Sequence, residues 1–155
     1  MHGAYLLDLP LLKLETLQFE WMAVAGWMAV AVVAMVLGFL WFGPLFGKAW
    51  MRAMGWDPND AVKMEEMKKS AGAAYGMMMA NAIVLGFLVW VTLGLVGVSG
   101  WMDGALFAFI ASLTFQATAS LSTAIWGGSK SLFLINASYY TLSHAIAGGI
   151  VGALV

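Results

Sequence analysis

Charged residues divide the apolar positions of this chain into four long neutral stretches, Trp21–Gly47, Ser70–Met102, Gly104–Ser129 and Ser131–Val155. Each is long enough for a helix to cross a bilayer, which takes about 20 mostly apolar residues. Lipid offers the backbone no hydrogen-bonding partner, so such a segment must satisfy its own N–H and C=O groups as a helix. The pattern predicts an all-α fold, a four-helix transmembrane bundle with spans over about 21–42, 71–96, 102–126 and 131–154. Residues 21–155 then form a single membrane domain.

Punctuation between the stretches sets the connections. Gly43-Pro44 is expected to end the first span, because proline lacks the N–H and disfavours helical geometry in the residue before it. Short juxtamembrane helices should follow between spans 1 and 2. The first covers Leu45–Met54, with Lys48 and Arg52 four residues apart on one side and Gly55 just past its end. The second starts at Asp57-Pro58-Asn59-Asp60, with Asp57 as N-cap and Pro58 in the first turn. Glu65 and Lys69 on it form an i,i+4 pair. Gly97–Trp101 and Gly127-Gly128 supply the remaining turns. Residues 1–20, where Asp8, Pro10 and Lys13 interrupt the leucines, read as an interfacial N-terminal tail and not as a secretory signal.

Composition narrows the functional classes. The chain has 155 residues, 10% of them charged, against roughly 25% in soluble domains. The spans use up nearly all of it, so no room is left for a soluble catalytic domain. With no cysteine there is no disulfide, thiolate metal site or cysteine nucleophile. The placement of charge matters more than its sum. Lys48, Arg52, Lys63, Lys68, Lys69 and Lys130 fall in the loops after spans 1 and 3, whereas only Lys13 falls on the other side. Basic loops stay cytoplasmic. The expected topology therefore puts loop 43–70 in the cytoplasm and both termini outside, in the cell (inner) membrane. The lipid bilayer is the partner this composition implies, and nothing in it points to nucleic acid.

Polar side chains in hydrocarbon are costly and turn toward the bundle interior. In span 4, Asn136, Tyr140 and His144 recur every four residues with Ser143 between them, and Gly148 and Gly152 extend the stripe as a GxxxG for close contact with another helix. In span 3, Ser112, Gln116, Ser120 and Thr123 are placed on one face with Ala105 and Ala119. Span 2 offers Asn81. Counting 1.5 Å per residue puts Asn81, Gln116 and Tyr140 about 15 Å, and His144 about 20 Å, from the cytoplasmic end. These four are expected to meet near the midplane and to hydrogen-bond across helices.

Two functions compete for that cluster. In one it is glue, and the protein is non-enzymatic, acting through helix–helix or subunit contacts as an accessory subunit or homo-oligomer. In the other it lines a path, and the protein passes a small solute or an ion. An intramembrane enzyme is disfavoured, since no nucleophile–base pair or carboxylate pair is visible. No cofactor or metal is called for. Met51/Met54 and Met64/Met67 have MxxM spacing, but they sit among charges on amphipathic segments and read as lipid contact and packing.

The segment from Gly38 to Gly55, with Trp41-Phe42-Gly43-Pro44-Leu45-Phe46-Gly47-Lys48 followed by Trp50 and Arg52, resembles the signature of small prokaryotic membrane proteins catalogued as domain of unknown function 1761. The run Leu134-Ile135-Asn136-Ala137-Ser138-Tyr139-Tyr140, followed by Gly148 and Gly152, is similar to that family's last span. The resemblance implies a compact four-span protein and carries no activity with it. It singles out Trp41, Gly43, Pro44, Gly47, Trp50 and Asn136. Physically, the first motif suits a helix re-entering the interface, with Lys48 and Arg52 at the depth of lipid phosphates.

Overall fold

The computed structural model describes residues 21–126 and 128–154, so the expectations for tail 1–20, for Gly127 and for the Thr123 side chain fall outside it. The described chain is helical throughout. A first rod runs as α1 (Trp21–Leu40) into a wider π-helical turn (Trp41–Leu45). The short α2 (Gly47–Ala53) follows, then α3 (Ala61–Val96). The next rod is α4 (Trp101–Phe115), a second π-helical stretch (Gln116–Ser120) and α5 (Leu121–Trp126). The last is α6 (Lys130–Gly152). Three of these rods, Trp21–Leu45, Ala61–Val96 and Trp101–Trp126, are long and apolar enough to cross a membrane.

Several local expectations are corrected. Gly43-Pro44 does not stop the first rod at Phe42. The turn widens instead, Phe46 N–H reaching Trp41 O at 2.8 Å, five residues back. Pro44 is absorbed inside the wide turn, and the break comes at Phe46, at φ −122° and ψ 2°. Asp57 is not the N-cap of the charged helix. Its Oδ1 accepts from Asn59 N–H at 2.9 Å in a local turn. Asp60 caps the helix, accepting from Val62 and Lys63 N–H at 2.9 and 3.1 Å. The charged helix and span 2 are one 36-residue helix, not two elements. The charge pairs on it are Lys63–Glu66 and Glu65–Lys68 at i,i+3 spacing, in place of Glu65–Lys69. All four partners are largely exposed, where such pairs are worth little. Gly55 and Gly97 end their helices in the left-handed region, at φ +79° and +70°, where a Cβ would be strained.

α6 is the centre of the packing. It lies against α1, α2, α3, α4 and α5, most extensively against α4, while α1 packs on α3. Leu93, Val151, Ala147, Val30, Val89, Trp90 and Ala23 form the buried apolar core between these helices. Lipid tails are as apolar as the core, so close packing, and not escape from water, must hold the helices together. Small residues supply that closeness. Gly104 and Gly148 face one another so tightly that a Cβ on either would meet the other's backbone carbonyl. Gly152 sits against Gly100 and Gly104, and Gly100 N–H donates to Gly152 O at 2.6 Å. Gly86 lies on the backbone of Trp27 and joins α3 to α1.

Candidate site: a polar intramembrane cavity

A stripe at i,i+4 spacing normally walks around an α-helix, because four residues turn the chain by about 400° at 3.6 per turn. Along the rod built of α4 and α5 it does not. Gly104, Ala108, Ser112, Gln116 and Ala124 are buried and Ser120 is half-buried. The π-helical stretch Gln116–Ser120 widens the turn where drift would otherwise carry the stripe outward. Ala119, expected on this face, is exposed, and Gly104 and Ala108 take the inward places ahead of Ala105.

On α6 an inward line runs through Tyr139, Ser143, Ala147 and Val151; of the expected stripe, Ser143, Gly148 and Gly152 are buried, while Asn136, Tyr140 and His144 lie one residue off that line. Asn136 and His144 are half-buried and Tyr140 is 43% exposed. Tyr139 was not legible as a site residue in the sequence. It stacks edge-on against Phe42, with ring centres 4.8 Å apart, and its hydroxyl donates to Ala34 O at 3.2 Å. Two adjacent tyrosines differ by about 100° around a helix, and Tyr139 is the one that meets Ala34, Gly38, Trp41 and Phe42 of the first rod.

The four residues expected at the midplane border one cavity, although Asn81, expected inside the bundle, is exposed on α3. Asn81 from α3, Gln116 from the π-helical stretch, and Tyr140 and His144 from α6 all line one cavity of about 650 Å³, bounded by residues of all four long rods. They meet across space and not through bonds: among the described residues, no hydrogen bond joins any of them across helices. The cross-helix bonds are made elsewhere, by Tyr139 and by Trp41, whose Nε1–H donates to Ile135 O at 3.0 Å. Gln116 is only 7% exposed, yet its carboxamide makes no hydrogen bond within the described chain. Ser143 Oγ is buried at the cavity wall without a hydrogen bond of standard geometry. His144 Nδ1 lies 2.6 Å from Tyr140 O. A carbonyl only accepts, so Nδ1 carries the hydrogen, and in the neutral ring Nε2 is then the acceptor. Asn136 lines a smaller neighbouring cavity of about 270 Å³, which shares Gln116, Ser120 and Tyr140 with the first and runs toward Ser129.

The interface motif forms a separate cluster at the cavity's edge. Trp41, Phe42, Phe46, Trp50 and Tyr139 contact one another ring to ring, and Trp50 continues to Trp56. Gly47 is buried, and a Cβ there would strike Phe42 O at 2.6 Å. Gly43, Pro44, Lys48 and Arg52 are exposed. Gly148 and Gly152 face α4 of the same chain, so the GxxxG contact is made within the protomer.

No curated protein and no solved structure matches the chain. Residues 25–152 match the family of proteins of unknown function DUF1761, and the chain belongs to that family.

Proposed function

We propose that the chain is a four-span protein of a prokaryotic inner membrane, non-catalytic, that binds a small molecule in the cavity at Gln116 and His144. The observation that carries this is the convergence of polar side chains from three of the four long rods, with apolar residues of the first completing the wall, on one cavity of about 650 Å³. Ligand pockets typically measure about 300–1,000 Å³ and hold a few convergent polar groups among apolar walls.

As the fourth span, α6 has 23 residues, about 34 Å of helix at 1.5 Å per residue. Its polar residues lower its apolarity, but Ser143, Tyr139 and Thr141 are covered by other helices. The non-catalytic reading rests on the wall chemistry. It offers amides, hydroxyls and one imidazole, and no carboxylate or amine among the described residues. Passage of a solute needs a polar route to both faces, whereas the outer half here is packed with Leu93, Val151, Trp90 and Ala147. The assembly role keeps one observation in its favour: a Cβ added at Gly72 or Gly76 on α3 would have nothing within 4 Å, which leaves that face of the helix open.

Native mass spectrometry in mild detergent tests the binding reading. A single chain carrying one low-mass adduct is expected, with the adduct lost in Ala34→Phe, which fills the cavity wall while keeping a cooperative melt. An adduct-free wild-type chain, or an adduct retained by Ala34→Phe, would overturn it.

Topology is tested separately. With six basic residues in the loops after spans 1 and 3 against one on the other side, loop 43–70 should be cytoplasmic and both termini outside. The chain has no cysteine of its own, so Asn59→Cys and Ser99→Cys can be labelled singly in intact cells. An impermeant thiol reagent should reach Ser99→Cys and spare Asn59→Cys. The reverse pattern would invert the topology.

A further inference from the structure

We infer that the cavity takes an uncharged, hydroxyl-bearing amphiphile (an alkylphenol, a quinol or a long-chain alcohol in chemical type) that enters sideways from the bilayer between α3 and α4. This rests on the binding reading above and adds the class of ligand and its route.

The route follows from packing. α3 and α4 are consecutive helices joined by the short turn at 97–100, yet α3 packs on α1 and α6 and makes no substantial contact with α4. The cavity is lined from both sides of that gap, by Met77, Val84 and Leu88 of α3 and by Phe115 of α4. All four are exposed. Counted at 1.5 Å per residue from the outer ends of their helices, they lie about 12–28 Å deep, inside a hydrocarbon layer of about 30 Å. A mouth rimmed by apolar side chains at that depth opens to acyl chains, not to water. Only a molecule that dissolves in the bilayer reaches it directly.

The class follows from what lies behind the rim. The wall carries no charged side chain among the described residues, so nothing there would neutralise a carboxylate, phosphate or ammonium. Burying an unpaired charge is far costlier than burying a neutral polar group. The hydrogen-bonding groups nonetheless need partners. Gln116 is only 7% exposed, and its carboxamide makes no hydrogen bond among the described residues, whereas Ser143 on the same wall has the Tyr139 hydroxyl as a neighbour. In hydrocarbon, no solvent satisfies such groups. His144 decides the polarity of the ligand's head. Its Nδ1–H is committed to Tyr140 O, and in the neutral tautomer this leaves Nε2 to accept. An acceptor in the wall calls for a donor in the ligand, which a hydroxyl supplies and an ether or ester does not. The same hydroxyl oxygen can accept from an amide such as Gln116. The apolar remainder lies along Met35, Leu85 and the rim.

The test uses the full chain in phosphatidylcholine nanodiscs and three labelled probes with the same tail: 4-nonylphenol, 4-nonylanisole and 4-nonylbenzoate. Uptake is compared with protein-free nanodiscs. The phenol should show one saturable site per chain, and the anisole and benzoate should bind at least tenfold more weakly. A site built to hydrogen-bond a hydroxyl rejects the analogue that lacks it. His144→Phe should bring phenol and anisole within about twofold of each other, the phenol losing its acceptor, while the melt stays cooperative. Gln116→Leu should weaken the phenol more than the anisole, which provides a second variant if His144→Phe fails to fold. Equal binding of phenol and anisole to the wild type would overturn the hydroxyl recognition and leave the cavity as a binding site. Saturable binding of the benzoate alone would overturn the uncharged class. Binding of none of the three by a chain that still carries a native adduct would overturn the ligand class only. Binding of none, with no adduct on the wild type, would remove the binding reading as well.

Discussion

Gly148→Ala is expected to destabilise the protein by roughly 1–3 kcal/mol or more, the range for overpacked contacts, whereas Gly149→Ala, one residue on, is not. Both substitutions add one methyl to the same helix, and both gain about 1 kcal/mol of helix propensity over glycine. The neighbours differ. A Cβ at 148 meets the carbonyl of Gly104 and lies 2.6 Å from Ala108 Cβ. Neither can rotate aside, since one is backbone and the other is fixed to it. α6 and α4 would have to separate along their whole contact, including the approach of Gly152 to Gly104 and the Gly100–Gly152 hydrogen bond. A Cβ at 149 meets Trp101 O at 3.4 Å and Ala105 Cβ at 3.5 Å, which is ordinary contact. Thermal melting in mild detergent, followed by circular dichroism, reads the difference directly. Equal melting of the two variants would mean that α4 and α6 do not approach through these glycines.

How much of this was legible beforehand divides along physical lines. The gaps between charges marked out the long rods, because a charge in hydrocarbon is expensive enough to leave a visible mark on sequence. The GxxxG of α6 was legible for a similar reason: two glycines in a helix interior cost propensity that only close packing offsets. Which face each helix turns inward was harder to read. The stripe expected on α6 held Ser143, Gly148 and Gly152, which are buried, but took Tyr140 and His144 for its centre in place of Tyr139 and Ala147, because polar character alone located it. The long i,i+4 line from Gly104 to Ala124 holds its face only through the wide turn at Gln116–Ser120. No residue in Gln-Ala-Thr-Ala-Ser demands that turn by itself. The Pro44 turn shows the converse. The sequence announced a break, and the chain met the missing N–H by widening the helix before ending it. The N-cap was read at Asp57, but that carboxylate is used within its own turn by Asn59 N–H, and Asp60 caps the helix three residues later.

Leu93→Ala should lower stability by roughly 2 kcal/mol, at the low end of the 2–5 kcal/mol seen for large-to-small core changes. Leu93 has no exposed surface and sits in the core with Val89, Trp90, Ala147 and Val151. In a soluble protein the loss would combine a transfer term and a cavity term. In a bilayer the unfolded helix leaves its leucine among acyl chains, so the transfer term largely vanishes and the lost packing remains. The control is Leu88→Ala, five residues earlier on the same helix, where the side chain is 53% exposed and truncation should change melting little. The same pair bears on function. Leu93 belongs to the packing that closes the end of the bundle nearest the 97–100 turn, and an apolar cavity left by its truncation stays dry. Leu93→Ala in liposomes should therefore conduct no more ions or protons than the wild type, even as it melts earlier. A current appearing on removal of this one side chain would mean that water already reaches the core around Leu93, and it would turn the cavity at Gln116 and His144 into one half of a path.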